Sequence, residues 1–288
     1  MTDAVAVRSL DALDAVLRGR LDVARHALAA TGGVLVALSG GVDSALVGAL
    51  ARAALGDRAL AAMGVSAAYS AEEVASARAV AQHLGVRLLE VPTGQLEDAD
   101  FLRNDSRRCF HCRSDLYSVL RPLAHAHGLA AIADGTNVDD LGDYRPGQSA
   151  ANEAGVISPL ADAGLTKAQV REAARALGLP AADRPQNACL SSRIPRGTPI
   201  TLAALSRVER AETWLRARGF AQCRVREHGT LARIEVPAAD VARLAAAPLR
   251  DECAAELRAL GYLFVSLDLE GFESGRLNRL VPEAGSHT

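Results

Sequence analysis

The sequence predicts an α/β protein in which a parallel sheet with helices on both faces is followed by a smaller α+β domain. Strand-length apolar runs alternate with helix-length amphipathic runs from residue 34 to residue 134, a pattern typical of a parallel sheet. From residue 202 a helix is followed by two short strands, two helices and a last strand. We therefore expect a domain over 1–200 and a second domain, for substrate binding or oligomerisation, over 201–288.

The elements follow from hydrophobic spacing and from turn residues. An amphipathic helix is predicted over 5–30, and a capping box at Thr166 opens a helix that ends near residue 177. Gly85 ends the helix over 71–84. In the first domain we expect strands at 34–38, 59–65, 86–91 and 130–134, further helices at 44–55 and 113–126, and a long polar loop at 181–199. In the second we expect helices at 202–218, 238–246 and 249–260, and strands at 222–227, 231–236 and 263–269.

Composition limits the function classes. The net charge of −2 and a pI near 6.4 give no support for a nucleic-acid binder. The sequence has no apolar run of about 18 residues and no basic stretch followed by an apolar segment at its start. We therefore expect a cytoplasmic protein with no membrane partner. Its five cysteines, an odd number, favour metal or redox chemistry over a disulfide framework.

The strongest motif follows the first strand. Two adjacent glycines allow the chain to approach an anion closely, and the helix that follows directs backbone N–H groups at the same point. An acidic residue beside a phosphate indicates a Mg²⁺ ion between them, so we assign Asp43 to Mg²⁺. A tight turn with helix-capping serines is the alternative. The motif resembles the PP-loop of ATP pyrophosphatases, and its predicted ATP-binding residues are Ser39, Gly40, Gly41, Asp43 and Ser44.

A second polar stretch follows the fourth strand of the predicted sheet. The carboxyl ends of parallel strands form the ligand edge of such a sheet, so both this stretch and the PP-loop are expected there. Asp134, Thr136 and Asn137 are predicted to bind the nucleotide, and a solvated turn is the alternative. The stretch continues through Asp139 and Asp140 to the segment 143–147. Lys167, near the start of a capped helix, is predicted to reach a phosphate and could equally be a surface lysine.

Three cysteines are candidates for metal or sulfur chemistry. Cys109 and Cys112 form a CxxC before a predicted helix, where a thiolate is stabilised. Two thiolates are too few for a structural zinc site, and Cys189 in the polar loop is the best third ligand. Three cysteines on a 4Fe-4S cluster would leave one iron open for an extra sulfide. A reducible dithiol or buried thiols remain the alternative for the CxxC, and Cys223 and Cys253 are predicted to be core residues.

The second domain carries arginines suited to an anionic substrate. Arg224 and Arg226 alternate on a strand, so both guanidinium groups point to one face and could hold a phosphate. Arg193 lies in the Cys189 loop, and Glu212 on the preceding helix could orient the group. Surface charge is the alternative for each residue alone. Together these residues predict a phosphorylated substrate in addition to ATP.

Several separate blocks resemble one family. They are SGGVDS, RCFHCRSDLY, DGTNVDDLGDYRPG, the segment 165–180, ACLSSRIPRGTPIT, RVREHGTLARIEVP and LDLEGFESGRLN, and they span about residues 10 to 280. The chain is similar in these blocks to the LarE family of pyridinium-3,5-bisthiocarboxylic acid mononucleotide synthases. NAD synthetase and GMP synthetase share only the first block and parts of the middle.

The resemblance implies a reaction and two sulfur sources. It implies that ATP and Mg²⁺ adenylylate the carboxylates of pyridinium-3,5-biscarboxylic acid mononucleotide, and that sulfur then displaces AMP to leave thiocarboxylates. The product becomes the nickel-pincer nucleotide of lactate racemase. One branch of the family sacrifices the sulfur of a cysteine that matches Cys189. The other uses a 4Fe-4S cluster on three cysteines, here Cys109, Cys112 and Cys189, fed by sulfide or another donor. The CxxC favours the cluster branch, and family members form homo-oligomers.

Three rival functions stay open at this point. tRNA thiolation would use the same cluster logic, but the acidic pI and the lack of zinc-ribbon cysteine pairs oppose it. An amide-forming synthetase would use ammonia and need no CxxC. A nucleotide-binding regulator would be expected to have lost part of the SGGVDS motif, which is intact here.

Overall fold

A computed structural model describes residues 10, 12–141, 146–184 and 188–273. The first nine residues, which include the start of the predicted 5–30 helix, and residues 143–145 of the second polar stretch lie outside them. Contacts divide the chain into an N-terminal unit, Met1–Asp98 with Arg107–Asn187, and a C-terminal unit, Ala99–Ser106 with Ala188–Thr288. Among the described helices, not one has the length and apolar character needed to cross a bilayer.

The N-terminal unit alternates strands and helices, as the sequence predicts. Its first elements are α1 (Ala15–Ala30), β1 (Val34–Ala37), α2 (Val42–Leu55), β2 (Ala59–Val65), α3 (Ala71–Leu84) and β3 (Leu88–Pro92). The short helix α4 (Ala99–Leu102) belongs to the C-terminal unit. The N-terminal unit continues with α5 (Arg108–Ala126), β4 (Ala131–Ala133), α6 (Val138–Leu141), α7 (Pro146–Glu153), α8 (Pro159–Asp162) and α9 (Lys167–Ala176).

The four strands form a parallel sheet in the order β3-β2-β1-β4. From β1 the chain adds β2 and β3 on one side and then crosses to β4 on the other, which opens a crevice at the carboxyl end of β1. β1 and β2 are largely buried, whereas the edge strand β3 is partly exposed. One core lies around Leu21, Val36 and Leu46 and another around Leu35 and Leu120. The predicted α/β fold class with a parallel sheet is confirmed.

The local signals also account for several helix ends. Asp14 caps α1 by accepting from the backbone N–H of Leu17 at 2.9 Å. The capping box at Thr166 and Gln169 opens α9, and Gly85 ends α3 in the left-handed conformation. α5 begins at Arg108, five residues before the predicted start, so the CxxC lies inside the first helical turn and not before it.

The C-terminal unit has its own sheet and core. It contains a 3₁₀ turn (Leu190–Arg193), then α10 (Leu202–Ala217), β5 (Arg224–His228), β6 (Leu231–Glu235), α11 (Ala238–Ala245), α12 (Leu249–Ala259) and β7 (Phe264–Leu267). The strand order is β5-β6-β7, with β5 antiparallel and β7 parallel to β6. Cys223 and Cys253 lie in its core with Phe220 and Leu257, as predicted.

The loop that carries Cys189 belongs to this second unit because Asn104 holds it there. The buried Asn104 adopts φ +56° and donates to the carbonyl oxygens of Pro195 and Thr198, each at 2.8 Å. Gly197 returns a bond to the Asn104 carbonyl at 2.9 Å. The compact units therefore divide at residue 188, whereas the domain division near residue 200 stays a prediction.

Candidate functional site

The loop after β1 folds against α3 at a point where only glycine fits. Gly40 has φ +74°, and a Cβ there would lie 2.7 Å from the backbone nitrogen of Ala77. The hydroxyl of Ser76 donates to the Gly40 carbonyl at 2.8 Å. The tight turn expected from the two glycines is therefore present and is held from the neighbouring helix.

Two serine hydroxyls lie inside this loop. The backbone N–H of Ser39 donates to Ser44 Oγ at 3.2 Å, and the two hydroxyl oxygens are 3.1 Å apart. Gly41 is the N-cap of the 14-residue helix α2 and offers no side-chain cap. The first-turn N–H groups and the positive end of the helix dipole are therefore available to an anion at this point. Backbone N–H groups and two hydroxyl groups at one helix N-terminus form an arrangement that suits a phosphate, the phosphate cradle.

Asp43 lies in the first turn of α2 between two donors. Nδ2 of Asn137 donates to Asp43 Oδ1 at 3.1 Å, and the ammonium of Lys167 forms an ion pair with Oδ2. The side chains of Lys167 and Asp43 are 26% and 21% exposed. Lys167 is placed there by its own backbone, whose N–H donates to Asp139 Oδ2 at 2.8 Å. The sequence stretches after β1 and β4 and the start of α9 thus meet at one carboxylate.

Gly135 allows β4 to approach the PP-loop. A Cβ at residue 135 would lie 2.6 Å from the backbone nitrogen of Ser44 and 2.9 Å from Asp43 Cβ. Backbone atoms cannot move aside as a flexible side chain can, so a larger residue would push the two loops apart. This close approach brings the buried Asn137 to hydrogen-bonding distance of Asp43.

Asp134 is a buried carboxylate whose oxygens face protein donors. Oδ1 accepts from the backbone N–H of Thr136 at 3.1 Å and from the Ser158 hydroxyl at 2.8 Å. Oδ2 accepts from the Thr136 hydroxyl at 2.9 Å, and from Arg113 and Tyr117 of α5 at 3.3 Å each. Burial raises the pKa of Tyr117 above its usual range, so its hydroxyl stays protonated and donates. Asp134 therefore ties the CxxC helix to the nucleotide edge.

The CxxC thiols lie on the first turn of α5. Cys109 is exposed and Cys112 half-buried, and positions three apart lie on the same side of a helix. The guanidinium of Arg108 is 3.9 Å from Cys109 Sγ, and the Tyr69 hydroxyl is 3.8 Å from Cys112 Sγ. A cation thus lies beside Cys109 and a hydroxyl group beside Cys112, near the start of a helix.

In the C-terminal unit, Cys189 precedes the 3₁₀ turn and is half-buried. Arg193, at the end of that turn, is 1% exposed and forms a two-point ion pair with the fully buried Glu212, at 2.8 and 3.0 Å. Burial acts to raise the pKa of Glu212, but Arg193, Arg224 and Arg216 outweigh it, so the pKa lies below its ordinary value. Arg193 and Glu212, both predicted at the substrate-phosphate region, are therefore in contact with each other, and their burial excludes the surface-charge alternative for both.

Arg224 and Arg226 both lie on β5 and are both buried. Nε and one terminal nitrogen of Arg226 donate to Glu235 Oε2 at 2.9 and 2.7 Å. Arg224 donates to the Cys223 carbonyl at 2.7 Å and lies 5.0 Å from the centre of the Phe272 ring. Burial and the charge of Arg193 lower the pKa of Arg224 to about 10. The two arginines thus share a strand face but differ in their surroundings.

The donor sets suit the expected ions in different ways. Mg²⁺ binds one or two carboxylates together with phosphate oxygens and water, and Asp43 beside the phosphate cradle fits that need. In residues 10, 12–141, 146–184 and 188–273, no three His, Cys, Asp or Glu side chains converge to hold a metal ion. The CxxC alone offers two thiols. Two thiols in one helical turn and a third cysteine elsewhere fit the donor chemistry of a three-cysteine 4Fe-4S cluster.

Some residues of these sites were not predicted from the sequence. Glu235 and Tyr69 are not among the predicted site residues, although the alternation of Arg224 and Arg226 predicts that polar side chains share a face of that strand. Arg113 and Tyr117 lie four positions apart in the RCFHCRSDLY block, a spacing that points both towards Asp134 from one side of α5. That spacing is the signal that could have found them.

Comparisons with known proteins agree with this arrangement. The NAD synthase family profile matches residues 17–104, which hold the PP-loop and the strands beside it. The pyridinium-3,5-bisthiocarboxylic acid mononucleotide synthase of Lactiplantibacillus plantarum is 37% identical over 219 residues, which cover 76% of this chain and 79% of that protein.

Two further relatives have names that assign no activity. The uncharacterized protein slr1717 of Synechocystis sp. is 43% identical over 217 residues, 75% of this chain and 81% of that protein. The uncharacterized protein MJ0830 of Methanocaldococcus jannaschii is 28% identical over 173 residues, 60% of this chain and 67% of that protein.

Proposed function

The chain belongs to the LarE family of pyridinium-3,5-bisthiocarboxylic acid mononucleotide synthases, and on that premise we propose that it is an ATP-dependent sulfurtransferase. In the proposed reaction a carboxylate oxygen of pyridinium-3,5-biscarboxylic acid mononucleotide attacks the α-phosphorus of ATP, and pyrophosphate leaves. A sulfur nucleophile then attacks the acyl carbon, AMP leaves with the oxygen, and a thiocarboxylate remains. The second carboxylate follows the same course, towards the nickel-pincer nucleotide of lactate racemase.

The observation that carries this proposal is the meeting of Asp43, Asn137 and Lys167 beside the glycine loop. A carboxylate, an ammonium group and a helix N-terminus at one point suit a magnesium triphosphate, which carries charges of both signs. We propose that Asp43 binds Mg²⁺ and that Lys167 binds a phosphate oxygen. Both would offset the charge that develops on departing pyrophosphate.

Other residues of the N-terminal unit would hold the nucleotide. Ser39, Gly40, Gly41 and Ser44 are proposed to bind phosphate through N–H and hydroxyl groups. Thr136 and Asn137 are proposed to line the nucleotide, with Asn137 also orienting Asp43. Because four side-chain and backbone groups besides Arg113 already donate to Asp134, we propose that it acts by fixing the loop rather than by direct contact.

The C-terminal unit would bind the phosphate of the mononucleotide. Arg224 is the better-supported ligand, because its pKa of about 10 reflects burial and a neighbouring cation that an added phosphate would compensate. Arg226 shares the strand face and could contribute a second contact, although Glu235 already holds two of its nitrogen atoms. Arg193 and Glu212 border this region from the Cys189 turn and α10.

For sulfur delivery we propose Cys109, Cys112 and Cys189 as ligands of a 4Fe-4S cluster. Such a cluster, when bound, supplies the sulfur that ends in the thiocarboxylate. The chain itself contributes the two thiols of α5, with Arg108 beside Cys109 and Tyr69 beside Cys112. Sulfide or another small sulfur donor is the proposed co-substrate, and the working protein is proposed to be a homo-oligomer. Sacrifice of the Cys189 sulfur is the alternative.

The test measures pyrophosphate, thiocarboxylate and protein mass together. Anaerobically reconstituted protein is expected to bind about four irons per chain, to turn over repeatedly with sulfide, and to lose both properties in Cys109→Ala, Cys112→Ala or Cys189→Ala. Cys223→Ala is the matched control, because that thiol lies in the core. Active iron-free protein that loses one H₂S from Cys189 would contradict the cluster. No pyrophosphate release with the mononucleotide would contradict the whole proposal.

A further inference from the structure

The carbonyl group of Cys189 is held by three donors. It accepts from the backbone N–H of Ser192 at 3.0 Å, from the Ser192 hydroxyl at 2.7 Å and from a terminal nitrogen of Arg193 at 2.9 Å. The same Arg193 nitrogen donates to the carbonyl of Ala188. One buried guanidinium therefore fixes the peptide groups on both sides of the cysteine, and with them the direction of its Cα–Cβ bond.

The other edge of this guanidinium is anchored in the core of the unit. Glu212, on α10, is fully buried and accepts from Nε and from the other terminal nitrogen of Arg193. It also accepts from the backbone N–H of Val225 at 3.1 Å and from Arg216 at 2.7 Å. Arg226 supports the turn from β5 by donating to the Ser192 carbonyl at 3.2 Å. The Cys189 turn is thereby tied to a helix and to a strand.

We propose that Arg193 and Glu212 are positioning residues for Cys189 and not ligands of the substrate phosphate. The inference deepens the proposed function, because it rests on Cys189 acting in sulfur transfer, and it holds for either sulfur source. A guanidinium presents five N–H groups in a fixed plane. One of its edges can therefore bind a carboxylate while the other binds two carbonyl groups. Arg193 uses both edges in this way, so little of it is left for a phosphate.

The consequence is a separation of the two half-reactions. Adenylylation uses the PP-loop of the N-terminal unit, whereas Cys189 acts after pyrophosphate has left. Displacement of a reacting group by about 1 Å can cost on the order of a hundredfold in rate. Loss of the Arg193 contacts to Glu212 and to the two carbonyl groups should therefore slow thiocarboxylate formation. Pyrophosphate release and mononucleotide affinity should stay unchanged.

The experiment compares Arg193→Lys with Arg207→Lys. Lysine keeps the charge of Arg193 but not the fork, so it cannot hold both Glu212 and the Cys189 carbonyl. Arg207 pairs with another buried carboxylate of the same unit, Glu227, at 2.5 Å, and thus controls for disturbing a buried pair. Ser192→Ala, which removes only the hydroxyl donor, is the milder variant if Arg193→Lys does not fold. Each protein is assayed by single-turnover pyrophosphate release, thiocarboxylate yield, mononucleotide KM and alkylation rate of the Cys189 peptide.

Arg193→Lys is expected to lower the rate of thiocarboxylate formation about a hundredfold and to change the alkylation rate of Cys189. Pyrophosphate release and the mononucleotide KM should match wild type, and Arg207→Lys should match wild type in every assay. A raised KM would return Arg193 to the phosphate site and overturn the proposal, as would unaltered thiocarboxylate formation in folded Arg193→Lys and Ser192→Ala. Failure of wild type to release pyrophosphate would instead be a failure of the proposed function.

Discussion

Two ion pairs, one in each unit, have opposite surroundings. In the N-terminal unit Asp43 and Lys167 lie at the carboxyl edge of a parallel sheet, with 21% and 26% of their side chains exposed. In the C-terminal unit Arg193 and Glu212 are 1% and 0% exposed, and backbone groups fill much of their remaining hydrogen-bonding capacity. Partly exposed charges can exchange partners for a ligand at low cost, whereas buried charges lose a partner only at a cost of several kcal/mol.

The difference indicates how charge is used in each unit. In the proposed function the first unit would bind an anion with loop backbone and with two partly exposed charges, Asp43 and Lys167, that can separate from each other. The second unit uses most of its arginines to hold its own chain, including Arg193 on the Cys189 turn and Arg226 on Glu235. The sequence alone does not show which charged residue binds a ligand and which holds the chain, because Arg193 and Arg226 also occur in polar segments. Substitutions at the partly exposed charges and at the buried charges test this difference between the two units.

The largest effect is expected at the exchangeable pair. Asp43→Asn removes the proposed Mg²⁺ ligand while keeping the side-chain shape, so pyrophosphate release should fall by about a thousandfold, as expected when a metal contribution of several kcal/mol is lost. The measurement is ATP- and mononucleotide-dependent pyrophosphate release in protein whose circular dichroism matches wild type. Asp57→Asn is the control, because that carboxylate is 97% exposed in a surface pair with Arg52. Near-normal release by Asp43→Asn would remove Asp43 from the mechanism.

A smaller effect is expected from a change in the close backbone contact between the loop after β4 and the PP-loop. Gly135→Ala would place a Cβ 2.6 Å from the Ser44 nitrogen, so the β4 loop must move away from the PP-loop. An overpacking cost of about 1–3 kcal/mol corresponds to roughly tenfold to a hundredfold weaker ATP binding if the strain is relieved by opening the site. Titration calorimetry measures this affinity directly.

Gly19→Ala supplies the contrast for that prediction. Gly19 lies inside α1, and in the described part of the chain a methyl group added there would meet no atom within 4 Å besides the surrounding helix backbone. Alanine should therefore raise the free energy of unfolding by about 0.5–1 kcal/mol and leave ATP binding unchanged. Equal ATP affinities for Gly135→Ala and wild type would show that the two loops need no close contact.

In the C-terminal unit, the buried Arg224 of β5 is the residue proposed to bind the phosphate of the mononucleotide. Arg224→Met is expected to weaken mononucleotide binding by about tenfold to a hundredfold, the loss of one charge-assisted hydrogen bond of about 1.5–3 kcal/mol, without weakening ATP binding. Arg226 is less suited to this test, because its removal leaves the fully buried Glu235 without two of its donors. Equal weakening of both ligands would argue against a phosphate site on β5.

Much of the N-terminal unit follows from local sequence. The alternation of the four strands with the longer helices, the PP-loop turn and the capping box at Thr166 depend on neighbours within a few residues, and the sequence predicts each of them. It does not predict the shorter helices α6, α7 and α8. The start of α5 at Arg108 is not predicted, because Arg107 makes no side-chain cap that would mark the first residue of the helix.

Long-range pairing could not be predicted in the same way. Lys167 and Asp43 are 124 positions apart, and the sequence around Lys167 is equally compatible with a phosphate ligand and with a surface lysine. The residue type and loop position of Arg193 suit a phosphate-binding arginine. Its engagement with Glu212 and two carbonyls depends on how α10 packs, which residue type does not reveal. Whether a charge is exchangeable is thus a property of tertiary burial.

The smallest effect concerns His228, at the end of β5 on the strand face of Arg224 and Arg226. Burial, Arg233 and Arg226 lower its pKa, against the opposing effects of Glu227 and Glu235. The folded pKa therefore lies below the unfolded value of about 6.5, and the unfolded state binds more protons in that window. The stabilising contribution is present above about pH 6.5 and is lost as the pH falls towards the folded pKa.

His228→Gln should therefore flatten the loss of unfolding free energy between about pH 7 and 5.5, measured by urea denaturation at each pH. The exposed His125, changed to Gln, is the control and should leave the wild-type profile in place. The same pH series, repeated with added mononucleotide, tests whether the substrate phosphate lies near His228. A phosphate bound beside Arg224 would favour protonated His228, so the substrate should reduce the wild-type pH dependence and have less effect on that of His228→Gln. If the substrate changes both profiles equally, His228 does not sense the anion, and the phosphate lies elsewhere than on this strand face.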